Sequence, residues 1–228
     1  MLKHGNEILT KPRRTVVLGA SGVIGQSLMP LLDDAGWPAL ELRTKDIDLS
    51  LDGAGEALEA LLQPDDSIVM LAALTPDRGR DIATFMANLR MSEAVCAAIA
   101  KVEPAHVIYL SSDAVYPFIE GRVDEQSCAG ATDLFGTMHM AREAHFRDTV
   151  RKAPIAILRS SLVLSAADTH NSYGPNRFRH AAAKDGKITL GGRGEETRDH
   201  ILDRDVARLV FQVLGRRSGG VLNLGTGA

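Results

Sequence analysis

The stretch "TVVLGASGVIG", residues 15–25, decides the fold. An apolar run of strand length leads directly into glycines at positions 19, 22 and 25. Between a strand and a helix, such glycines allow in turn a tight bend, the approach of a pyrophosphate to the backbone, and close packing of helix on strand. The free N–H groups and positive dipole end of the helix also favour phosphate. The stretch therefore predicts a dinucleotide site rather than a purely structural turn.

Outward from this stretch, apolar runs of strand length alternate with longer helical patterns. Continuous apolar strands separated by helices indicate a parallel sheet that is covered on both faces. Strands are predicted at 15–19, 38–43, 46–49 ("DIDL"), 67–73, 105–112 and 155–159, and helices at 22–36, 54–63, 81–101 and 136–151.

Beyond residue 159 the alternation loosens. The polar, turn-rich segment 165–178 is typical of a binding loop, and "KITLGGRGEETRDH", 187–200, of a short strand before a glycine-rich turn. An amphipathic helix is predicted at 203–215 and a last strand at 220–225. We therefore expect a nucleotide-binding unit at 14–165 and a small, reduced lobe at 166–228, interleaved with the last elements of the sheet.

The composition restricts the classes of function. The chain has 228 residues, of which 45% are hydrophobic, enough for one sizeable core. A net charge of -3 argues against a nucleic-acid or anionic-membrane partner. Cys96 and Cys128 form no CxxC motif, so no disulfide framework is implied. The sequence has no signal-peptide pattern and no apolar stretch near the roughly 20 residues that cross a bilayer, so a cytoplasmic protein is expected.

The end of the second strand bears on the choice between NAD and NADP. An acidic residue there binds the adenosine ribose of NAD, whereas a basic one favours the 2′-phosphate of NADP. In "ELRTK", residues 41–45, Arg43 takes this position, with Lys45 close by and Glu41 two residues earlier. We expect NAD or NADP as the cofactor, with a lean towards NADP; a solvated strand end is the alternative for Arg43.

Motifs along the whole chain occur in the order of a known family. They are "GASGVIG" (19–25), "DIDL" (46–49), "LAA" (71–73), Asn88, "SSDAVYP" (111–117), "RDHILDRDVA" (198–207) and "NLGTG" (223–227). From about residue 14 to its end, the chain resembles the extended short-chain dehydrogenase/reductases, the NAD-dependent epimerase/dehydratase group that acts on nucleotide sugars. The resemblance implies an α/β fold: a Rossmann-type, doubly wound parallel sheet with a small C-terminal substrate lobe.

The resemblance also implies where the cofactor binds. The pyrophosphate would lie on the glycine loop, the adenine against Asp48 and Leu49, and the remainder in a cleft lined by residues 71–73. The implied cofactor-binding residues are Gly19, Ser21, Gly22, Val23, Ile24, Gly25, Arg43, Asp48, Leu49, Leu71, Ala72, Ala73, Asn88, Ser111 and His139.

The substrate side follows from the same resemblance. Ser112, four residues before Tyr116, falls at the catalytic Ser/Thr, which bonds the substrate hydroxyl or carbonyl; a strand-end cap is the alternative. Arg198 matches an arginine that contacts the nucleotide diphosphate; a surface salt bridge is its alternative. The implied substrate-binding residues are Asp113, Asn176, Arg177, Phe178 and Arg198.

The helix that carries the family's acid–base pair departs from the pattern. In the family, a Tyr-x-x-x-Lys pair shares one helix face. Its tyrosine moves a proton on the sugar hydroxyl as hydride passes to or from the nicotinamide, and its lysine lowers the phenol pKa and holds the nicotinamide ribose. "FGTMHMARE", 135–143, fits this helix in register but places Phe135 at the tyrosine and His139 at the lysine. No tyrosine of the chain has a lysine four residues on.

Phe135 has no proton to give. General acid–base catalysis contributes about 10²–10⁴-fold, so we expect a slow or inactive enzyme. His139 could bond the ribose, carry a positive charge part of the time, since histidine titrates near about 6.5, or act as the acid–base group itself. A helix-face histidine in a lapsed site is the alternative. Phe135 is either an engineered Tyr→Phe change or a natural variant.

Two further departures weaken the nucleotide-sugar assignment more than the cofactor assignment. Leu162 stands where such enzymes often carry a substrate-binding asparagine, and the chain stops at "NLGTGA" where family members continue with another small lobe. Two hypotheses remain. One is an epimerase, dehydratase or reductase of a nucleotide sugar or related polyol, with Ser112, Phe135 and His139 at the catalytic positions. The other is a catalytically inactive, dinucleotide-binding regulator. Neither requires a metal, and a homodimer is plausible for both.

Overall fold

The chain folds around a six-stranded parallel sheet. A computed structural model describes residues 1–117, 122–167, 174–190, 192–194 and 197–227. The strand order is β2-β1-β3-β4-β5-β8, and every neighbouring pair is parallel. These strands are β1 Arg14–Leu18, β2 Ala39–Leu42, β3 Asp66–Met70, β4 His106–Ser112, β5 Ile155–Ser160 and β8 Gly220–Leu224. The predicted doubly wound α/β fold is confirmed.

Helices cover both faces of the sheet. α1 Val23–Asp34 and α6 Asp203–Gly215 cover one face, and α2 Ala54–Glu59, α3 Ile82–Val102 and α4 Leu134–Thr149 cover the other, whereas α5 Gly174–Asp185 belongs to neither layer. Since strand side chains alternate in direction, Val16 and Leu18 face the α2–α4 layer while Val17 faces α1 and α6. Each face thereby buries its own apolar cluster. The order of the strands reverses between β1 and β3, the position at which open α/β sheets bind ligands beyond their carboxyl ends.

The second predicted unit is divided between two places. Helix α6 and strand β8 complete the main sheet and its cover, whereas α5 lies outside the sheet. A separate two-stranded parallel sheet joins β6, Leu162–Leu164, to β7, His200–Leu202. The division into units at 14–165 and 166–228 stays a prediction, and β6 lies on the first side of that boundary.

Two predicted strands are absent from the residues that the structure describes. In "DIDL", Oδ1 of Asp48 accepts hydrogen bonds from the backbone N–H and the hydroxyl of Ser50, at 3.0 and 2.7 Å, so a turn replaces the strand. Residues 187–190 are likewise irregular. The predicted binding loop 165–178 is wrong at its end, because α5 begins at Gly174; Pro175 sits in its first turn, where proline is favoured. Residues 168–173 lie outside the described part.

Helix α3 is long and apolar enough, by length and composition, to cross a membrane, which the sequence reading overlooked. In the fold it packs beside α2 and α4, and 39% of its most apolar window is buried. One such helix is weak evidence for a span, because core helices of globular proteins meet the same criterion. The expected cytoplasmic location, the absence of a membrane partner and the homodimer stay predictions.

His106 gives the fold a predicted pH dependence. Its ring is buried on β4 and Nε2 bonds the Ser218 carbonyl at 2.7 Å, while burial lowers its pKa to about 4. The unfolded chain, with a histidine pKa of about 6.5, therefore binds the proton more tightly than the folded one. Stability is full above about pH 6.5 and falls as pH drops towards 4, by about 3 kcal/mol for this group at about 1.4 kcal/mol per pKa unit.

Urea unfolding at pH 7 and pH 4.5 tests this expectation. The variant His106→Gln keeps an amide donor for the Ser218 carbonyl but does not titrate. Its free energy of unfolding should change less between the two pH values than that of the wild type. Equal changes in both proteins would contradict the assignment to His106.

Candidate functional site

The turn after β1 forms an open cradle for phosphate. Gly19 has a positive φ of 92°, and a Cβ atom there would lie 2.7 Å from the backbone nitrogen of Ala72. At Gly25 a Cβ would lie 2.6 Å from the carbonyl oxygen of Ala20, so α1 could not pack as closely. Gly22 caps α1 without any side-chain hydrogen bond, which leaves the first-turn N–H groups for a ligand. This backbone fits the pyrophosphate of a dinucleotide.

At the end of β2, the side chain of Arg43 is already engaged. Its Nη2 donates to Oε2 of Glu41 at 2.6 Å, and its backbone N–H donates to Asp46 at 3.0 Å. The side chains of Arg43 and Glu41 are 44% and 39% exposed, so solvent screens this ion pair and it is weak. The Glu41 carboxylate nevertheless lies against the Arg43 guanidinium, which is the group that would have to bind the 2′-phosphate of NADP. The lean towards NADP therefore finds no support in the geometry.

The predicted adenine contacts lie on one turn. Hydrogen bonds from Ser50 lower the pKa of the Asp48 carboxyl, which keeps this group charged. Leu49, by contrast, is buried in the apolar cluster between the sheet and the α2–α4 layer. The turn is thus anchored by Leu49 and presents Asp48 beside β2.

The backbone of the segment after β3, residues 71–74, is fixed by buried side chains of α3 and α4. The amide of buried Asn88 receives the N–H of Leu74 at 2.9 Å and donates to its carbonyl at 3.0 Å. Arg142 donates to the carbonyl of Ala72 at 2.8 Å. Residues 71–73 were predicted to line the cofactor cleft, and these contacts fix their backbone. Asn88 acts through Leu74, so its place in this site is that of a positioning residue.

Helix α4 begins where Asp133 accepts the N–H of Gly136 at 2.8 Å. Gly136 lies directly against the carbonyl of Ala114, which brings the helix start close to the turn after β4. The edge of Phe135 meets the ring of His139 with centroids 4.7 Å apart. The positions of the family's pair are therefore adjacent, as the register predicted, but Phe135 brings no titratable group.

His139 is not the partly charged residue that the sequence allowed. Its ring is buried, and Nδ1 lies 2.7 Å from the hydroxyl of Tyr109 on β4. Burial, with a smaller contribution from the charge of Arg142, lowers the pKa of His139 to about 3. The ring is consequently neutral near pH 7, and with Nδ1 occupied, Nε2 is the nitrogen that could bond a ligand.

Arg142 is a residue that sequence reasoning missed. It is fully buried one turn after His139, with its guanidinium 5.1 Å from the centroid of the Tyr109 ring. Nη1 also approaches Oδ1 of Asn88 at 3.3 Å, and Nε lacks a hydrogen-bond partner. Within the described ranges no carboxylate pairs with it, and burial lowers its pKa, although arginine remains protonated. The sequence signal for Arg142 was its spacing from residues 135 and 139, which puts all three residues on one helix face.

Ser112 and Asp113 lie at the carboxyl end of β4. The Ser112 hydroxyl accepts the N–H of Ala114 at 3.1 Å and donates to Oδ1 of Asp113 at 3.2 Å. Burial raises the pKa of Asp113, the positive charge of Arg198 opposes the rise, and the charge of Asp199 adds to it. The structure thus brings a hydroxyl, a carboxyl and an arginine together at the sheet edge that also carries the phosphate cradle.

The remaining predicted substrate residues are on α5. Asn176 is buried, and the guanidinium of Arg177 lies 5.7 Å from the ring centroid of Phe178. These three residues therefore belong to a helix of the small lobe rather than to a loop, and no described contact joins them to Ser112.

A buried polar network fastens α4 to the sheet. Arg159 donates to both carboxylate oxygens of Glu143, at 2.9 and 2.8 Å, and Ser111 donates to the same carboxylate at 2.7 Å. Arg159 also donates to the hydroxyl of Tyr116 at 2.8 Å, which in turn donates to Asn223. Ser111 was predicted to contact the cofactor, but its hydroxyl is committed to Glu143.

A cavity of about 300 Å³ adjoins Phe135. Its lining includes Leu74, which follows β3, Asn88 on α3, and Leu134 and Met138 on α4. Arg80 contributes a cationic group to its lining. Phe135 therefore borders this cavity at the start of α4.

Comparison with known proteins gives this site a family. Residues 15–225 match the model of the NAD dependent epimerase/dehydratase family. No curated protein matches the chain significantly. The fold is similar to that of UDP-glucose 4-epimerase from Thermotoga maritima solved with UDP-glucose, at 18% identity over 94% of this chain and 77% of that one, with a TM-score of 0.82.

Two structures from Bacillus cereus are similar as well. UDP-N-acetylglucosamine 4-epimerase is 22% identical over 94% of this chain and 78% of that one, with a TM-score of 0.80. A Tyr→Phe mutant of UDP-glucuronic acid 4-epimerase, in complex with a fluorinated UDP-glucuronic acid and NAD, is 22% identical over 93% and 77%, with a TM-score of 0.76. At these identities the likeness establishes the shared fold.

Proposed function

Because the chain belongs to the NAD-dependent epimerase/dehydratase family, we propose that it binds a nicotinamide dinucleotide and acts on a nucleotide sugar or related polyol, as an epimerase, dehydratase or reductase. The observation that carries this proposal is the uncapped start of α1, whose free N–H groups lie at the same sheet edge as the Ser112 hydroxyl. One of the similar structures holds both a sugar nucleotide and NAD, which supports the assignment.

The residues of the site then divide the work. Residues 19–25 bind the pyrophosphate through backbone N–H groups, and Asn88 and Arg142 hold the opposite wall in place. When bound, the nicotinamide supplies the acceptor or donor of hydride. Ser112 bonds the reacting oxygen of the sugar, and Nε2 of neutral His139 bonds a ribose hydroxyl of the cofactor. Phe135 contributes shape to the site but no proton, which slows the reaction.

NAD is the better candidate for the cofactor. Glu41 engages Arg43 at 2.6 Å, so a 2′-phosphate would have to displace a carboxylate from the only arginine in that turn. The ribose hydroxyls of NAD carry no charge and do not meet this obstacle. We therefore expect tighter binding of NAD than of NADP, which the relative affinities of the two cofactors test.

A regulator that binds the dinucleotide without turnover is the second candidate. Phe135 and the neutral ring of His139 favour it, because together they remove the proton and the cation that the family pair supplies. A Tyr→Phe mutant of similar fold was solved with both ligands, so loss of one phenol is compatible with ligand binding. Turnover separates the two candidates, whereas binding is common to both.

Calorimetric titration of the chain with NAD⁺ and with NADP⁺ tests the proposal. We expect saturable binding of NAD⁺ and weaker binding of NADP⁺. The variant Gly25→Ala should lower the affinity for NAD⁺ at least about tenfold, equivalent to about 1.4 kcal/mol, because its methyl group displaces α1 from Ala20.

Gly130→Ala is the matched control, since a Cβ there meets only ordinary contacts, the nearest at 3.7 Å. Its affinity for NAD⁺ should equal that of the wild type. If neither dinucleotide binds the wild type, the proposal and its regulatory alternative both fail. An equal loss of NAD⁺ affinity in Gly25→Ala and Gly130→Ala would contradict binding of the pyrophosphate at residues 19–25.

A further inference from the structure

The proposed reaction needs a proton acceptor, and residue 135, where the family has its tyrosine, does not supply one. Oxidation of a sugar hydroxyl sends a hydride to the nicotinamide and releases the hydroxyl proton, which needs an acceptor. Phe135 has no titratable group, and the pKa of buried His139, about 3, makes it a poor base near pH 7. Tyr109 is no substitute, because burial raises the pKa of its phenol far above neutrality.

Tyr116, which follows Ser112 by four residues, is also unsuited. Its hydroxyl donates to Asn223 at 2.8 Å and receives a hydrogen bond from Arg159 at 2.8 Å, and the residue is buried in this network. Both of its hydrogen-bonding roles are therefore taken by the core. Among the described groups in direct contact with Ser112, the carboxyl of Asp113 is the one that can accept a proton.

We propose that Asp113 takes the place of the missing phenol as the proton acceptor, acting through Ser112; this inference rests on the proposed function. In the oxidative direction, the substrate hydroxyl gives its proton to the Ser112 oxygen as hydride leaves its carbon for the nicotinamide. The Ser112 proton passes to the Asp113 carboxylate, to which that hydroxyl already donates at 3.2 Å. The carbinol becomes a carbonyl, the nicotinamide is reduced, and Asp113 ends protonated. The reverse direction returns the proton.

The surroundings of Asp113 suit a reversible proton acceptor. Burial raises its pKa above the ordinary carboxyl value of about 3.9, which makes it a stronger base than an exposed aspartate. The Ser112 hydroxyl, the N–H of Ala114 and the charge of Arg198 hold the rise in check, while the charge of Asp199 adds to it. Oxidation requires the ionised form, so its rate should fall as pH drops through the raised pKa of Asp113.

Four proteins test this role: the wild type, Asp113→Asn, Phe135→Tyr and the double variant of both. Each is incubated with NAD⁺ and a panel of UDP- and dTDP-hexoses, and the conversion of the sugar is measured by anion-exchange chromatography. Asparagine still accepts the Ser112 hydrogen bond but cannot take its proton. Asp113→Asn should lose about 10²-fold or more in kcat, the lower bound for acid–base catalysis. The double variant should regain at least about tenfold over Asp113→Asn, because a phenol supplies the acid–base group again.

A pH profile and a control separate this role from a structural one. The wild type should lose activity on the acid side with the titration of one carboxyl, and Asp113→Asn should lack that limb. Asp65→Asn changes an exposed aspartate directly before β3, at the opposite end of the sheet from Ser112, and should match the wild type in rate and in pH profile. Calorimetry with NAD⁺ should give equal affinities for the wild type and Asp113→Asn.

The outcomes are distinguishable. Full activity in Asp113→Asn, or an unchanged acid limb, overturns the role of Asp113. A wild type without turnover beside an active Phe135→Tyr variant also overturns it, while the proposed function stands. No turnover in either protein overturns the proposed catalytic function, and the role of Asp113 falls with it.

Discussion

Restoring both members of the family pair, as Phe135→Tyr with His139→Lys, is expected to raise kcat on nucleotide sugars by about 10²-fold. This is the lower end of the contribution of general acid–base catalysis, because Asp113 already accepts the proton in part. The ring centroids of Phe135 and His139 lie 4.7 Å apart, so a phenol and an ammonium group introduced there would be neighbours. The lysine charge would lower the phenol pKa towards neutrality.

The single changes should do less. Phe135→Tyr alone is expected to raise kcat by only about tenfold. The reason is that neutral His139 supplies no positive charge to stabilise the new phenolate. His139→Lys alone brings a cation near buried Arg142 and removes the hydrogen bond to Tyr109, without any new acid–base group. The double change should therefore exceed the product of the single ones, as expected for residues that act as a unit.

Product formation from UDP-hexoses, measured with saturating NAD⁺, gives the rates. Phe211→Tyr is the matched control, because it adds a phenol where Phe211 stacks on Trp37 at 4.2 Å, on the α1–α6 side of the sheet. It should leave the rate at the wild-type level. A double variant that binds NAD⁺ with wild-type affinity and gains nothing would favour the regulatory candidate over the enzyme.

The parts of the site that sequence predicts well are those fixed by local geometry. The glycines at 19, 22 and 25 are predicted from their place between a strand and a helix. The structure gives Gly19 and Gly25 a backbone approach that excludes a side chain, whereas a Cβ at Gly22 would lie 3.3 Å from the carbonyl oxygen of Gly19. The register of α4 was predicted from the match of "FGTMHMARE" to the family helix, but the helix begins at Leu134, two residues before the predicted start, with Asp133 as its cap. Phe135 and His139 therefore fall side by side as predicted.

The parts that sequence could not predict depend on burial and on distant partners. A partial positive charge on His139 was one of the possibilities that the ordinary pKa of histidine left open, but burial and the charge of Arg142 lower its pKa to about 3. The spacing of Arg142 puts it on the helix face of Phe135 and His139, but the sequence does not show that its guanidinium is fully buried. The pairing of Glu143 with Arg159 joins α4 to β5 and needs the packed fold to be seen.

Arg159→Met is expected to cost about 3–5 kcal/mol of unfolding free energy, the usual penalty for removing one partner of a buried ion pair. Glu143 would keep only Ser111 and half-exposed Arg147, at 2.7 and 3.2 Å, to stabilise a carboxylate that is almost fully buried. Hydrogen bonding to Glu143 raises the pKa of Arg159, so the guanidinium stays charged. The midpoint of urea unfolding measures the loss.

Two further variants identify the cause of that loss. Glu143→Gln combined with Arg159→Met should recover most of the stability, because a neutral amide still accepts the Ser111 hydroxyl and no charge is left buried. Arg208→Met breaks an ion pair with Asp205 that is solvent-exposed on both sides, and should change stability by no more than about 0.5 kcal/mol. If Arg159→Met were as mild as Arg208→Met, α4 would not be held by this pair. Glu143 is on α4, the helix of His139, and its carboxylate accepts a hydrogen bond from Ser111, the neighbour of Ser112. A loss of about 3–5 kcal/mol in Arg159→Met would therefore show that the Glu143–Arg159 pair holds His139 and Ser112 in their relative positions.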